Sequence, residues 1–169
     1  RPTSNNQSAV LFSNRGPSPN YTGIYIRWNT NGTMQVRFGL NANTGGYTTT
    51  ATIASGAWGH FATTWSNGTV KVYINGILDG TGTDDTTHEL IGIFMGGLGD
   101  GTQNFTGYMD EIRISNNIRY TATFTDFGQG GGTISSPTPF TTDANTKLLL
   151  HAEATGKITR VHGTSLAWS

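Results

Sequence analysis

The sequence predicts an all-β fold, and three observations carry that prediction. Glycine is frequent, at 24 of 169 residues, and charged residues make up only 12% of the chain. Together with many Thr and Asn residues, this composition favours short strands and tight turns over helices. No segment longer than about ten residues repeats its apolar positions with a helical period. Two stretches instead alternate apolar and polar residues on both sides of an Asn-Gly pair, which is typical of β-hairpins.

The stretch at 58–80, WGHFATTWSNGTVKVYINGILDG, is the best-specified hairpin. Its turn falls at Asn67-Gly68, because a type I′ turn needs positive φ at both central residues, which Gly and Asn adopt most easily. One face is predicted to be apolar and the other mostly wet. The apolar face pairs Trp65 with Val70, Thr63 with Val72 and Phe61 with Ile74. The wet face pairs Ala62 with Tyr73, Thr64 with Lys71 and His60 with Asn75.

A second hairpin is predicted at 23–39, where two turns compete. A two-residue Asn31-Gly32 turn sets Trp28 against Gln35. A three-residue loop at 30–32, with Gly32 in the left-handed region, gives apolar pairs instead. These pairs are Trp28 with Met34, Ile26 with Val36 and Ile24 with Phe38. We predict the three-residue loop, because a one-residue slip exposes a whole apolar set whose members are each worth roughly 1.5–3 kcal/mol when buried.

Further strands are predicted at 8–14, 47–55, 77–78, 89–96 and 108–115. The strand at 89–96 is expected to be mostly buried, because its apolar residues do not alternate. Glycine-rich loops are expected at 80–87 and 97–106. In the last strand, alternation places Glu111 and Arg113 on one face as a charged pair on the solvent side.

Charge and composition exclude several classes of partner. Ten basic residues balance ten acidic ones, so nothing favours a nucleic acid or an anionic membrane surface. No apolar run approaches the length needed for membrane insertion. The absence of cysteine excludes disulfides and thiolate metal sites. The chain begins at Arg1 without an initiator Met, so we expect a processed product or a piece of a longer protein.

Residues 58–125 carry a specific set of spacings. The series W-x-H-x-A-x-x-W-x-x-G-x-V-x-x-Y-x-N-G, then F-x-G-Y-x-D-E-I-R-I-S-N and R-Y-T-x-x-F-T, resembles the laminin G-like, concanavalin A-like jelly-roll family. The resemblance is closest to the version found in phage tail, fibre and other virion proteins and in extracellular bacterial proteins. It implies an antiparallel two-sheet jelly-roll sandwich, often used to bind glycans or proteins and frequently with calcium at a loop rim. It does not by itself imply an enzyme.

The chain is long enough for one domain with a sizeable core. Residues 1–126 are predicted to form the sandwich and 127–138, rich in Gly, Ser and Pro, to form a linker. Residues 139–169 are predicted to add strands that complete the sheet or pair with a neighbouring subunit. Family members usually begin with a strand like LLLH, which here lies at 148–151. Two accounts stay open: this segment begins a following tandem unit, or it folds back, or across to another chain, to complete the sheet.

Glycoside hydrolases share this architecture, so catalysis has to be considered. Related glucanases carry an E-x-D-x-x-E pattern that places two carboxylates on one concave face. The corresponding strand here has Asp110 and Glu111 side by side, so their side chains point to opposite faces and no further carboxylate follows at the required spacing. We therefore predict that the chain is not an enzyme and that Asp110 is a structural carboxylate.

A saccharide site needs exposed aromatic rings with amides and hydroxyls around them. Candidates in the longest Gly-rich or Thr-rich connections are Tyr21, Tyr47, Asp100, Gln103 and Asn104. For each tyrosine, an aromatic lid on the end of the sandwich is an equally good interpretation. Trp28, Trp58 and Trp65 are assigned to the core or to packing of the family signature.

Calcium prefers oxygen ligands from loop carboxylates and carbonyls. The candidate ligands are Asp84, Asp85 and Asp100, which lie in predicted loops. None of them belongs to a dense ligand motif, so solvated turn acids are the favoured interpretation. No cofactor is predicted to be required, and calcium is left open. The histidines have no paired spacing for a transition metal, and His60 is expected to be a hydrogen-bonded structural residue.

The predicted function is that of a non-catalytic structural or adhesion module in a virion, fibre or extracellular assembly. Its expected partners are copies of itself or other structural proteins of that assembly, with glycans as possible ligands. The alternative is a dedicated carbohydrate-binding module for attachment to a host or polysaccharide. A glycan-cleaving enzyme is the least favoured interpretation.

Overall fold

The computed structural model describes residues 1–3, 8–14, 23–38, 45–84, 92–124, 140–152 and 158–163. These ranges contain β-strands and no helix, and thus none that could span a membrane. The strands are β1 (Ala9–Ser13), β2 (Ile24–Trp28), β3 (Thr33–Phe38), β4 (Gly45–Thr52), β5 (Phe61–Ser66), β6 (Thr69–Ile74), β7 (Ile77–Thr83), β8 (Phe94–Met95), β9 (Ile112–Ser115), β10 (Thr146–Ala152) and β11 (Ile158–Gly163).

The strands form two sheets. The larger has the order β5-β6-β7-β4-β3-β2-β1-β8, and the smaller has the order β11-β10-β9. Neighbouring strands are antiparallel in both sheets. This architecture confirms the predicted all-β jelly-roll sandwich.

The core lies inside a curl of the large sheet. Val36 and Phe38 of β3 pack against Val70 and Val72 of β6, although β7 and β4 lie between these strands in the sheet. A second cluster joins Trp28, Met34, Ile53 and Ile74. Only a curled sheet brings β3 and β6 together, and each buried side chain in the contact is worth roughly 1.5–3 kcal/mol.

Both predicted hairpin registers are confirmed. In β5–β6, Trp65 lies opposite Val70, and the turn residues Asn67 and Gly68 have φ of 46° and 74°. In β2–β3, Trp28 lies opposite Met34, as the three-residue loop requires. Gly32 has φ of 84° in that loop, and the amide of Asn29 donates to the carbonyl of Thr33 at 2.9 Å. The Asn-Gly turn therefore predicts the first register, and burial of the apolar pairs predicts the second.

The outer face of β5–β6 is not wet, and that prediction was wrong. Tyr73 is fully buried on this face. Its ring meets those of Tyr120 and Phe124 edge-on, with centroids 6.2 and 5.4 Å away. Its hydroxyl donates to the carbonyl of Tyr120 at 3.1 Å. The segment that follows β9 packs on this face. The alternation of apolar and polar residues within the hairpin cannot predict this contact, because the segment is distant in the sequence.

Of the three tryptophans assigned to the core or to packing of the family signature, only Trp28 lies in the core. Trp28 is buried, and its indole N–H donates to the carbonyl of Ile53 at 3.0 Å. Trp58 is 40% exposed and Trp65 is 48% exposed. Because β5 is an edge strand of the large sheet, no described strand lies along the outer side of Trp65.

Several strand bounds differ from the predictions. The strand predicted at 77–78 extends to Thr83, so its glycines belong to a strand and not to a loop. Gly80 and Gly82 are needed there because an added Cβ would clash with Tyr47 and with the backbone of Gly46. Small residues therefore let β4 and β7 approach each other.

The other misplaced strands lie on either side of the 97–106 loop. Of the strand predicted at 89–96, the described part forms only β8, and Phe94 is 39% exposed instead of buried. Residues 89–91 lie outside the described ranges. The strand predicted at 108–115 is shortened to β9, because Glu111 has a φ of 53° and breaks the extended backbone.

The LLLH segment lies in β10, which pairs with β9 of the same chain. Leu149 lies opposite Arg113, and Leu150 lies opposite Ile112. The other side of β10 pairs with β11. In this structure the segment thus folds back onto its own chain. The predicted linker at 127–138 lies outside the described residues, and the domain boundaries stay predictions.

Candidate functional site

Three of the five predicted ligand-binding residues lie together in one loop. Asp100, Gln103 and Asn104 all belong to the connection between β8 and β9, which we call the 96–105 loop. Tyr47 lies elsewhere, on β4. Tyr21 lies outside the described residues.

The tip of the 96–105 loop is closed by its own hydrogen bonds. The amide of Leu98 donates to the carbonyl of Thr102 and the amide of Gly101 to the carbonyl of Leu98, both at 3.0 Å. The Asp100 carboxylate accepts from the amide and the hydroxyl of Thr102, at 2.9 and 2.6 Å. This Asx-type closure gives the exposed tip a defined backbone.

Backbone contacts fasten the same loop to β1 and across its base. The amide of Val10 donates to the carbonyl of Gln103, and the amide of Phe105 to that of Gly96, both at 2.9 Å. The side-chain amide of Asn104 donates to the carbonyl of Gly101 at 2.9 Å. The loop is therefore held at both ends, and its side chains start from fixed positions.

Gln103 is the most informative residue of the loop. It has a φ of 52°, a backbone conformation that residues other than glycine and Asn rarely adopt. Gln103 is exposed, and its side-chain amide forms no hydrogen bond with another described residue. The fold thus keeps a strained residue whose polar group is directed to solvent, which is more typical of a binding position than of a structural one.

An aromatic ring lies beneath the loop tip. A Cβ added to Gly99 would lie 2.6 Å from Cζ of Phe94, so only glycine lets the loop backbone lie against this ring. Phe94 is partly exposed, and Tyr108 beyond the loop is more exposed. The 96–105 loop and Phe94 thus bring together one carboxylate, two side-chain amides and an aromatic ring, and the carboxylate and the Asn104 amide also make hydrogen bonds within the loop.

Tyr47 makes contacts within the fold. Its hydroxyl donates to the Asp79 carboxylate at 2.9 Å, and Tyr47 packs against the core cluster of Val36, Phe38, Val70 and Val72. Burial and the neighbouring carboxylate raise the pKa of Tyr47. Both the aromatic lid and a ligand-binding role for Tyr47 stay predictions.

The predicted calcium ligands do not form a metal centre within the described ranges. Asp84 is 3% exposed at the end of β7, where its amide donates to the carbonyl of Gly68 at 2.8 Å. Asp100 lies in the separate 96–105 loop, and Asp85 lies outside the described residues. No three His, Asp or Glu side chains of the described ranges lie close enough together to hold a metal ion. Calcium binding that involves Asp85 stays a prediction.

A cleft of about 290 Å³ lies between the turn end of β5–β6 and the segment that follows β9. We call it the hairpin cleft. Its lining residues are Thr64, Ser66, Asn67, Thr69, Lys71, Ile118, Tyr120 and Thr121. Sequence reasoning missed this cleft because one of its walls is distant in the chain. The sequence feature that could have indicated the cleft is the run of hydroxyl side chains on the predicted wet face of the hairpin.

Glu111 and Arg113 do not form the predicted charged pair on the solvent side. The Glu111 carboxylate accepts from the amide of Phe140 at 2.7 Å and lies 2.5 Å from Nδ1 of His151. The Arg113 guanidinium lies 4.1 Å from the centre of the Phe140 ring and donates to the Tyr120 hydroxyl at 2.8 Å. Positive φ at Glu111 interrupts the alternation on which the prediction rested, so the two side chains hold the C-terminal segment instead.

His60 lies next to this cluster. Its ring meets Phe124 and Phe140 edge-on, with centroids 5.7 and 6.3 Å away. Burial, assisted by the positive charge of Arg113, lowers the pKa of His60 to about 4. Its amide donates to the side-chain oxygen of Asn75 at 2.8 Å. His60 therefore stays neutral at physiological pH.

Comparison with known proteins identifies the family of the chain. A laminin G-type family model, described as the concanavalin A-like lectin/glucanases superfamily, matches residues 1–122, which is well over half of the chain. Searches of curated proteins and of solved structures found no match. The matched range contains both hairpins, the 96–105 loop and β9. The chain belongs to the concanavalin A-like lectin/glucanases superfamily.

Proposed function

We propose that this chain is a non-catalytic carbohydrate-binding and adhesion module whose ligand contacts the 96–105 loop. The observation that carries the proposal is Gln103, held at a φ of 52° with its amide directed to solvent. Membership of a superfamily that contains lectins supports the proposal. It does not decide between binding and cleavage, because the superfamily also contains glucanases.

The chemistry of the loop suits a saccharide. Sugar hydroxyls are recognised by side-chain amides, which donate and accept hydrogen bonds, and by carboxylates, which accept them. The apolar face of a pyranose packs on an aromatic ring. Gln103 and Asn104 supply amides, and Asp100 supplies a carboxylate. Phe94 supplies a partly exposed ring beneath Gly99. Because the loop is hydrogen-bonded at its tip and base, little conformational entropy is lost on binding.

The carboxylates near β9 favour binding over hydrolysis. Glycoside hydrolysis needs two carboxyl groups that face the same bond at roughly 5–10 Å. The Asp110 carboxylate accepts from the amide of the next residue, Glu111, at 2.7 Å. The Glu111 carboxylate is mostly buried against Phe140 and His151. This arrangement supports a structural role for both residues.

The proposed setting is a virion, fibre or extracellular assembly, where the module contacts copies of itself or other structural proteins. Its support is the resemblance of residues 58–125 to the version of the fold found in such proteins. A native mass measurement tests this setting. An assembly of several copies is expected, and a strict monomer at micromolar concentration would contradict self-assembly.

Glycan-array binding tests the proposed function. Wild-type chain should bind a defined set of glycans, and both Gln103→Gly and Asn104→Ala should lose most of that binding. Thr81→Ala is a suitable control, because Thr81 is exposed on β7 away from the loop. Arrays run with calcium and with a chelator also test the metal prediction. Binding that survives both loop variants, or release of sugar products during incubation, would contradict the proposal.

A further inference from the structure

We infer that the hairpin cleft is a second saccharide subsite, selective for a carboxylated sugar unit of the uronate type. The inference rests on the proposed function, since it assumes that the module binds carbohydrate. It concerns a different surface, formed by the turn end of β5–β6 and by residues 118–121. None of the residues selected from the sequence as ligand-binding lines this cleft.

The size and lining of the cleft fit one sugar ring. Its volume of about 290 Å³ lies at the lower end of the roughly 300–1,000 Å³ typical of ligand pockets. Four hydroxyl side chains and one side-chain amide line it, each able to donate and accept hydrogen bonds. These are Thr64, Ser66, Thr69, Thr121 and Asn67. Such a lining complements a ring that carries several hydroxyl groups.

Lys71 gives the cleft a preference for a negative charge. Among the described residues that line the cleft, Lys71 is the one charged side chain, and none of them is a carboxylate. Its ammonium donates to the carbonyl of Thr121 at 3.1 Å, which fixes the side chain across the cleft. An ammonium has three N–H donors, so donors remain for a ligand. A carboxylate on the sugar would therefore form a charge-assisted hydrogen bond with Lys71.

The remaining wall is apolar and firmly held. Ile118 is 43% exposed at the rim, where it offers a surface to the C–H groups of a sugar. Tyr120 is fixed from two sides, because its ring stacks on Phe124 at 3.5 Å and its hydroxyl accepts from Arg113 at 2.8 Å. A hydroxyl-lined cleft with one cation and an apolar wall favours an acidic sugar over a small inorganic anion, which has no apolar surface to pack on that wall.

Calorimetric titration with three probes tests this inference. The probes are trigalacturonate, the matched neutral galactose trimer and inorganic phosphate. We expect wild-type chain to bind trigalacturonate more tightly than the neutral trimer. Lys71→Met should weaken trigalacturonate binding by about tenfold, as expected for loss of one charge-assisted bond, and leave the neutral trimer unchanged. Lys71→Arg, which keeps the charge, should retain most of the preference, and thermal unfolding confirms that each variant folds.

The possible outcomes separate this inference from the proposed function. If neutral glycans bind and are lost in Gln103→Gly, while Lys71→Met has no effect on trigalacturonate, the subsite is excluded and the proposed function stands. If phosphate binds as tightly as trigalacturonate and competes with it, the cleft is an anion site and the inference is wrong. If no saccharide binds wild-type chain, both the inference and the proposed function fail.

Discussion

At the scale of single residues, backbone strain distinguishes functional positions from structural ones. Asn67 and Asn75 have positive φ in β-turns, where Asn is common. Gln103 and Glu111 have positive φ outside such turns. The carboxylate of Glu111 is used inside the fold, whereas the amide of Gln103 forms no hydrogen bond with another described residue. Of these two residues, only Gln103 places its side chain in solvent, while its main-chain carbonyl fastens the loop to β1.

The strain at Gln103 predicts that one substitution changes stability and glycan binding in opposite directions. Gln103→Gly should raise the free energy of unfolding by roughly 0.5–1 kcal/mol, because glycine adopts positive φ without steric cost. The same change should weaken glycan binding. Denaturant unfolding and glycan titration measure the two effects. Gln103→Asn is the matched control, since it keeps an amide and tolerates this conformation, and it should retain part of the binding.

His60 gives a prediction about pH. Its pKa of about 4 in the fold is lower than the usual histidine value of 6.5, so the unfolded chain takes up the proton first as pH falls. The free energy of unfolding should fall as pH decreases from 6.5 to 4, by about 3 kcal/mol from this residue. Above pH 6.5, His60 should contribute no pH dependence.

The measurement is denaturant unfolding of wild-type chain and His60→Phe across this pH range. The variant should show a smaller fall in stability between pH 6.5 and 4. An equal fall in both proteins would mean that other groups cause the pH dependence.

At the scale of elements, the sequence predicts the features that depend on neighbouring residues, such as the register of a hairpin. Both hairpin registers were correct because the turn and the apolar pattern within each hairpin determine them locally. The burial of Tyr73 and the role of Glu111 were not predictable in this way. Each of them depends on a segment more than twenty residues away.

The pairing of β4 with β7 depends strongly on Asp79. Its carboxylate accepts from the amides of Thr50 and Ala51, at 2.9 and 2.7 Å, and from the Tyr47 hydroxyl. Burial alone would raise the pKa of Asp79, but these hydrogen bonds outweigh it and lower the pKa overall. The stabilisation is thus present above the unfolded-state pKa and is lost as pH falls through the lower folded-state value.

Asp79→Ala should therefore destabilise the fold by about 1–3 kcal/mol, because several backbone and side-chain donors lose their acceptor. Asp79→Asn is the control that keeps the shape of the side chain but loses the charge, and it should have a smaller effect. Denaturant unfolding at pH 7 measures the stability of both variants. Unchanged stability in Asp79→Ala would show that the ladder hydrogen bonds alone hold β4 and β7.

Attachment of β10 depends on Glu111. Glu111→Gln keeps the side-chain volume but weakens the contacts with the Phe140 amide and His151, because hydrogen bonds to a charged group are stronger. Amide hydrogen exchange should become faster in 146–152 and stay unchanged in β5–β6. Equal protection of β10 in variant and wild-type chain would contradict this role.

At the scale of the whole molecule, the curled sheet contains the buried core, and the loops between strands carry the candidate binding residues. The family and the two-sheet fold were predictable from the spacing within 58–125, and the match over 1–122 confirms the family. The 96–105 loop was also predictable as a candidate, because long glycine-rich connections carry binding residues. The hairpin cleft was not, because its two walls meet only in the folded chain.

The central claim is that a saccharide binds at the 96–105 loop, and chemical-shift mapping tests it most directly. The isotope-labelled chain is titrated with a glycan that binds on the array, and backbone amide shifts are followed. We expect the largest changes at Leu98, Thr102, Gln103 and Asn104, with little change in the buried strands β3 and β6. Saturable shifts confined to other surfaces, with the loop unaffected, would contradict the claim.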